Sequence, residues 1–214
     1  MTTPATPGLP HDQVAYPDAP WAMLGSMWLS VFRLKNGVDE LRPAGIYGAA
    51  FVSYTEGSPL TYSELLVARL LRKDEGKGRK ITITDIWVDS PASVAGGREL
   101  WAIPKGLCDF ELDSSHRGPL TSTDWSASLG RTPIASASFT DVSRIAPRVP
   151  FKQDTYQPEL PEGGGEKGAL MKGSAKALPG RAHWDFAADG ALGYLRGATQ
   201  LTTLRLSDFR LSFG

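Results

Sequence analysis

The stretch Lys80-Ile81-Thr82-Ile83-Thr84-Asp85-Ile86-Trp87-Val88-Asp89-Ser90-Pro91 decides the fold. Ile81, Ile83, Asp85 and Trp87 fall on one parity and Thr82, Thr84, Ile86 and Val88 on the other. Strong β formers throughout make this a strand. Asp89-Ser90-Pro91 then reads as a helix start, because Ser90 can cap free amides and Pro91 suits the first helical position. A short helix is predicted from Pro91 to about Trp101, crossed by Gly96 and Gly97, with Pro104 as its stop.

Upstream, the charged run Lys73 to Lys80, with Gly76 and Gly78, reads as a solvated hairpin turn. Tyr62 to Leu71 fits strand or helix by pattern alone. Ile46 to Tyr54 is a buried-strand candidate, and Met27 to Leu34 is apolar and β-prone. Downstream, Leu107 to Asp113 and Pro133 to Phe139 are expected strands, and Ala187 to Leu195 a short helix. Leu201 to Phe213 closes the chain as a strand whose apolar parity changes between Leu206 and Phe209, which predicts a bulge near Ser207. With 23 glycines and 16 prolines punctuating short segments, the class is mainly β (α+β) with a few short helices.

Residues 1–20 carry prolines at positions 4, 7, 10, 17 and 20 and read as an extended arm. Residues 21–214 are expected to form a single domain, with a long mobile loop at about 156–180 where apolar residues are sparse. Lys and Arg number 23 against 23 Asp and Glu, which argues against a broad electrostatic nucleic-acid or acidic-membrane binder. Cys108 is the lone cysteine, so no intrachain disulfide or Cys-rich metal site can form, and a reducing compartment is expected. Met1 to Asp12 lacks the basic and apolar parts of a signal peptide, and the run Ile46 to Tyr54 is too short to span a bilayer. The expectation is a cytoplasmic protein.

His11, His116 and His183 show no metal-ligand spacing, and no Gly-x-Ser-x-Gly elbow occurs. Gly163, Gly165 and Gly168 match Gly-x-Gly-x-x-Gly in form only, because Pro158 and Pro161 stand where a strand should precede them. Cys108 in an apolar strand reads as a buried thiol. The informative residue is Lys105, behind Pro104 and among apolar neighbours. A free lysine at neutral pH is uncharged only about one part in a few thousand, and neutralising it costs about 4–5 kcal/mol. Burial that removes this cost lowers the pKa and creates an amine nucleophile able to form a Schiff base. The other reading is that Lys105 snorkels to the surface and Arg98–Glu99 is a helix-end ion pair.

Gly97-Arg98-Glu99-Leu100 followed by Pro104-Lys105 resembles the signature of the acetoacetate decarboxylase superfamily. Tyr62-Ser63-Glu64 resembles its Tyr-Thr-Glu segment, and the closing Asp208-Phe209-Arg210 to Gly214 its C-terminal end. The resemblance implies a closed, cone-like β-barrel around a reactive lysine, a small-molecule carbonyl substrate and assembly into homo-oligomers. By position, Lys105 would be the Schiff-base residue, Glu64 the acid/base or orienting group, and Arg98 and Glu99 supporting residues. No cofactor is implied, since the protonated imine is itself the electron sink. The chain departs from the family pattern at Gly106, where the decarboxylases carry a second lysine. It also departs at Ala50 and Gly25, near which a second acid and an arginine would fall. A cavity lined by Trp28, Phe51, Trp87 and Trp101 would suit a bulkier, more apolar substrate. Lyase chemistry on a keto acid or related carbonyl compound is the leading expectation. The alternatives are a non-covalent cyclisation or isomerisation in the same barrel, or a non-catalytic small-molecule binding protein.

Overall fold

A computed structural model describes residues 14–75, 77–142 and 145–214. The expected arm lies outside the described residues up to position 13. Its last residues run to the first strand, where the Trp21 indole donates to the Pro17 carbonyl at 2.8 Å.

Among the described residues, twelve strands and one α-helix follow: β1 (Trp21–Leu34), β2 (Gly45–Tyr54), β3 (Tyr62–Leu70), β4 (Ile81–Val88), α1 (Pro91–Trp101), β5 (Lys105–Leu107), β6 (Asp109–Arg117), β7 (Leu120–Leu129), β8 (Thr132–Asp141), β9 (Arg148–Asp154), β10 (Leu170–Pro179), β11 (Arg181–Phe186) and β12 (Thr199–Phe213). They form an eight-stranded sheet in the order β5-β4-β3-β2-β1-β12-β10-β9 and a four-stranded sheet in the order β11-β8-β7-β6. Among the described residues, no helix is long and apolar enough to cross a membrane.

Side chains alternate on the long strands, so the large sheet has two apolar faces. One packs on the small sheet through a slab of aromatic rings: Phe51 lies flat between Trp125, at 5.1 Å, and Trp184, at 5.2 Å. The other face, with Met23, Ala50, Ile86 and Phe209, curls around a second apolar core. The ambiguous Tyr62 to Leu71 segment is strand β3, because its buried residues serve both faces. The expected bulge near Ser207 is present: the β1–β12 register slips between Gly25 and Met27, and Asp208 takes φ 49°.

Two expectations are corrected. Residues 170–179, assigned to the mobile loop, form β10 between β12 and β9. The strand is invisible to hydropathy because only Ala175 is fully buried and the backbone ladder does the holding. Gly173 permits that pairing, since a Cβ there would lie 2.1 Å from the Arg210 carbonyl oxygen. Likewise, Ala187 to Leu195 contains only one 3-10 turn, at Gly193–Leu195.

The large sheet is also not a closed barrel. Strand β5 covers only Ile86–Val88 of β4, so the other half of that edge is left unpaired by any strand. The chain after β9 meets it through a single bridge between Ile81 and Thr155. Beyond that bridge, the buried Gln157 side chain substitutes for a strand. Its Oε1 accepts from the Ile83 amide at 2.6 Å and from the Thr82 hydroxyl at 3.0 Å, while its Nε2 donates to the Ile83 carbonyl at 3.1 Å. Gln157→Ala should therefore orphan a buried amide and carbonyl. We expect a loss of about 2–4 kcal/mol in urea unfolding and faster hydrogen exchange at Ile83. Unchanged exchange there would show that the seam is held by other contacts.

Candidate active site

Three elements bring the site together. On β3 the alternation points Tyr62, Glu64 and Leu66 into the curl of the large sheet and Leu65 and Val67 into the aromatic slab. On β4 the register slips between Val67 and Ala68, so Thr84 is the extra residue. That bulge lets Ile81, Ile83 and Ile86 share the inner face despite their mixed parity. The third element is the turn from α1 into β5. Ser90 caps the helix by accepting from the Ser93 amide, and the helix ends on Ala102 at φ 53° with bonds from Ala102 and Ile103 back to Arg98 and Gly97. Pairing of Lys105 with Ile86 then aims the lysine inward.

Lys105 is 5% exposed and Glu64 3%. The Lys105 Nζ donates to Glu64 Oε2 at 2.9 Å, to Ser93 Oγ at 2.9 Å and, more weakly, to the Tyr62 hydroxyl at 3.4 Å. Tyr54 donates to the other carboxylate oxygen of Glu64 at 3.1 Å. Burial raises the Tyr54 hydroxyl well above the usual phenol range, with Glu64 adding to it, and burial also raises Tyr62, so both hydroxyls stay neutral.

The group sits at the floor of a cavity of about 460 Å³, a size suited to a small organic molecule. Trp21, Ile86, Trp101, Ile103 and Phe209 surround the floor, and half-exposed Leu29, Val31, Ile46 and Ile81 lie toward the far end of the strands.

Of the residues singled out from sequence, Lys105, Glu64 and Trp101 meet at this cavity. Arg98 stands behind it: Nη1 donates to the Lys105 carbonyl at 3.0 Å and Nε to Glu162 at 2.7 Å. Glu99 is exposed on the outer side of α1, where its carbonyl accepts from Lys167 and its carboxylate bonds the Tyr16 hydroxyl. Trp28, Phe51 and Trp87 do not line the cavity. They have the opposite parity and belong to the aromatic slab between the sheets. Gly106 likewise faces the other way: a Cβ there would point at the Trp87 ring, 3.5 Å away, so a lysine at 106 would not approach Lys105.

The pKa of Lys105 also runs against expectation. Burial pushes the ammonium down, but Glu64 and then Tyr62 push back harder, and the group is held above the ordinary lysine value. At rest the amine is an ammonium in a buried ion pair. Composition could not show this, because the partner lies 41 residues away in sequence.

Tyr54, Ser93 and Gly97 were missed as site residues. Period-2 spacing along β3 and β2 is a signal that could have paired Tyr54 with Glu64. Gly97 earns its place sterically: a Cβ there would sit 2.7 Å from Lys105 Cδ and 2.9 Å from Cε.

The pattern for the family described as acetoacetate decarboxylase matches residues 39–156, more than half of the chain. No curated protein sequence matches it. Among solved structures, an acetoacetate decarboxylase-like enzyme from Sphingomonas wittichii RW1 superposes with a TM-score of 0.59 at 15% identity, covering 92% of this chain and 91% of that one. Acetoacetate decarboxylase from Legionella pneumophila gives 0.58 at 15% identity, covering 99% and 89%. The enduracididine biosynthesis enzyme MppR gives 0.51 at 15%, covering 94% and 85%. At that identity the likeness is one of fold.

Removing one partner of a buried ion pair strands the other charge. Lys105→Ala should therefore cost about 3–5 kcal/mol in urea unfolding at neutral pH. The double variant Lys105→Met/Glu64→Gln should recover most of it. Equal losses in the single and double variants would show that the pair is not coupled.

Proposed function

The chain belongs to the acetoacetate decarboxylase family, and from that premise we propose that it is an enzyme in which Lys105 forms a Schiff base with a carbonyl substrate. The observation that carries this reading is an amine at the floor of an apolar cavity, 2.9 Å from one carboxylate oxygen and 2.9 Å from one hydroxyl. Glu64 takes a proton from the Lys105 ammonium. The freed amine attacks the carbonyl carbon, and Glu64 returns the proton to the carbinolamine hydroxyl, which leaves as water. The iminium that results has the charge the ammonium had and faces the same carboxylate. It can accept the electron pair of a breaking bond at the neighbouring carbon, so decarboxylation, aldol-type cleavage and dehydration all begin from this step. Tyr54 fixes Glu64, and Ser93 and Tyr62 orient the amine.

A second reading rests on the resting ion pair itself. An ammonium held by Glu64 can polarise a carbonyl without bonding to it, and a non-covalent isomerisation would then use the same groups.

Borohydride with a panel of ketones, aldehydes and keto acids decides between them. We expect a reduced adduct on Lys105 by peptide mass spectrometry and none in Lys105→Ala. A panel that turns over without labelling the lysine would favour the non-covalent reading. Because the folded protein holds Lys105 above the ordinary lysine value, trapping should keep accelerating as pH rises past that value. In Glu64→Gln the largest force opposing burial is gone and Tyr62 alone is left against it, so the midpoint should fall.

A further inference from the structure

We infer that this site takes a neutral carbonyl compound with an elongated apolar chain, and that it discriminates against a carboxylate next to the carbonyl. The inference deepens the Schiff-base reading and rests on it.

The first ground is charge. Among the described residues lining the cavity, the charged side chains are Glu64, Lys105 and Lys152. Lys152 is exposed on β9, between the half-buried Phe151 and Gln153, and does not reach the floor group. The floor therefore holds one positive and one negative charge. Imine formation replaces the ammonium by an iminium and releases water: one C–N bond forms, the C–O bond breaks, and two ammonium hydrogens leave with the oxygen. A neutral substrate keeps the buried site at zero net charge throughout. A substrate carboxylate adds a second anion beside Glu64 with no second cation, after losing its hydration.

The second ground is that the wall beside the floor is closed by packed backbone and an aromatic ring, with no room for a side chain at Gly25. Gly25 lies against β2 so tightly that a Cβ would fall 2.1 Å from the Ser53 carbonyl oxygen and 2.9 Å from the Phe209 ring. That ring, edge-on to Tyr54 at 5.7 Å, occupies the wall of the floor.

The third ground is shape. The inward residues of β3 continue from Glu64 through Leu66 and Ala68 to Leu70. At about 3.3 Å per residue this is an apolar track of about 20 Å. Its two ends differ in exposure, 3% at Glu64 against 40% at Leu70, and Ala68 between them is still buried. The reactive end of the cavity is thus the buried one, and an apolar tail would run outward over aliphatic side chains that hydration does not favour.

The test uses the unmodified protein and four ketones in two matched pairs: acetone and pyruvate, then 2-undecanone and 2-oxoundecanoate. Each pair differs by a methyl against a carboxylate on the carbonyl carbon, and the pairs differ in chain length. Borohydride-trapping rates at Lys105 are divided by those of N-acetyl-lysine with the same compound, which removes intrinsic reactivity. We expect 2-undecanone to exceed both acetone and 2-oxoundecanoate by about tenfold or more. If 2-oxoundecanoate labels as fast as 2-undecanone, or if acetoacetate releases carbon dioxide in a Lys105-dependent way, the neutral-substrate inference is overturned and the Schiff-base reading stands. If acetone matches 2-undecanone, the apolar track plays no part in binding. If all four leave Lys105 unlabelled, the Schiff-base reading itself fails and this inference falls with it.

Discussion

A lysine and a glutamate 2.9 Å apart, both nearly without solvent, set the terms for the rest of the structure. Removing two charges from water costs several kcal/mol per ion, and their attraction offsets this only when the remaining hydrogen-bonding capacity is also met. Here it is met from three directions. Tyr54 on β2 takes the free carboxylate oxygen, Ser93 on α1 takes one ammonium hydrogen, and Tyr62 on β3 takes a weaker share beneath its ring. The pair therefore ties two strands of the large sheet to the helix and to β5, the short parallel strand at its edge. The same arrangement makes the amine unreactive at rest and leaves its proton one hydrogen bond from an acceptor.

The large sheet can serve this pair because its two faces do different work. One face is filled by stacked rings and has no room for a ligand; the other is lined by Gly48, Ala50 and Ala68 at its centre, and the small residues leave the cavity. The bulge at Thr84 matters to this division. Without it, strict alternation would put Asp85 and Trp87 on the inner face with Ile81 and Ile83. With it, Ile86 and its partner Lys105 turn inward, while Asp85 turns outward to pair with Arg42 at 2.6 Å and accept from Tyr194 at 2.8 Å.

This accounts for what the sequence made legible. Helix α1 was readable to the residue because its start and stop are local signals: Ser90, Pro91 and Pro104. The reactive block was readable because Gly97, Arg98, Glu99 and Lys105 lie close together in the chain. The strand at Lys80 to Ser90 was readable as a strand, but its faces were not, since a bulge is a property of the pairing with β3. For the same reason Trp28, Phe51 and Trp87 were placed on the wrong wall: aromatic character says buried, and does not say which side. Strands β7, β9, β10 and β11 were illegible because their inward apolar residues are few and separated by polar ones: Trp125 is the one large buried side chain of β7, and Ala175 the one fully buried residue of β10. Thr121 and Thr123 are buried on β7 with no hydropathy signal. The closed barrel failed where a glutamine side chain, rather than a strand, spans the seam.

Within the Gly97-Arg98-Glu99 block the three residues do unequal work. Gly97 supplies the absence of a side chain against which the Lys105 methylenes lie. Arg98 holds the Lys105 backbone carbonyl, and Glu162 in turn holds Arg98. Glu99 contributes on the outer surface. Together with the left-handed turn at Ala102, they fix both the backbone and the side chain of the lysine before any substrate arrives. A free lysine has about 2 kcal/mol of rotamer entropy to lose. Here that loss is incurred on folding, within the same packing that dries the cavity floor. Substrate binding then has only the ligand to order, and the amine meets it already aimed.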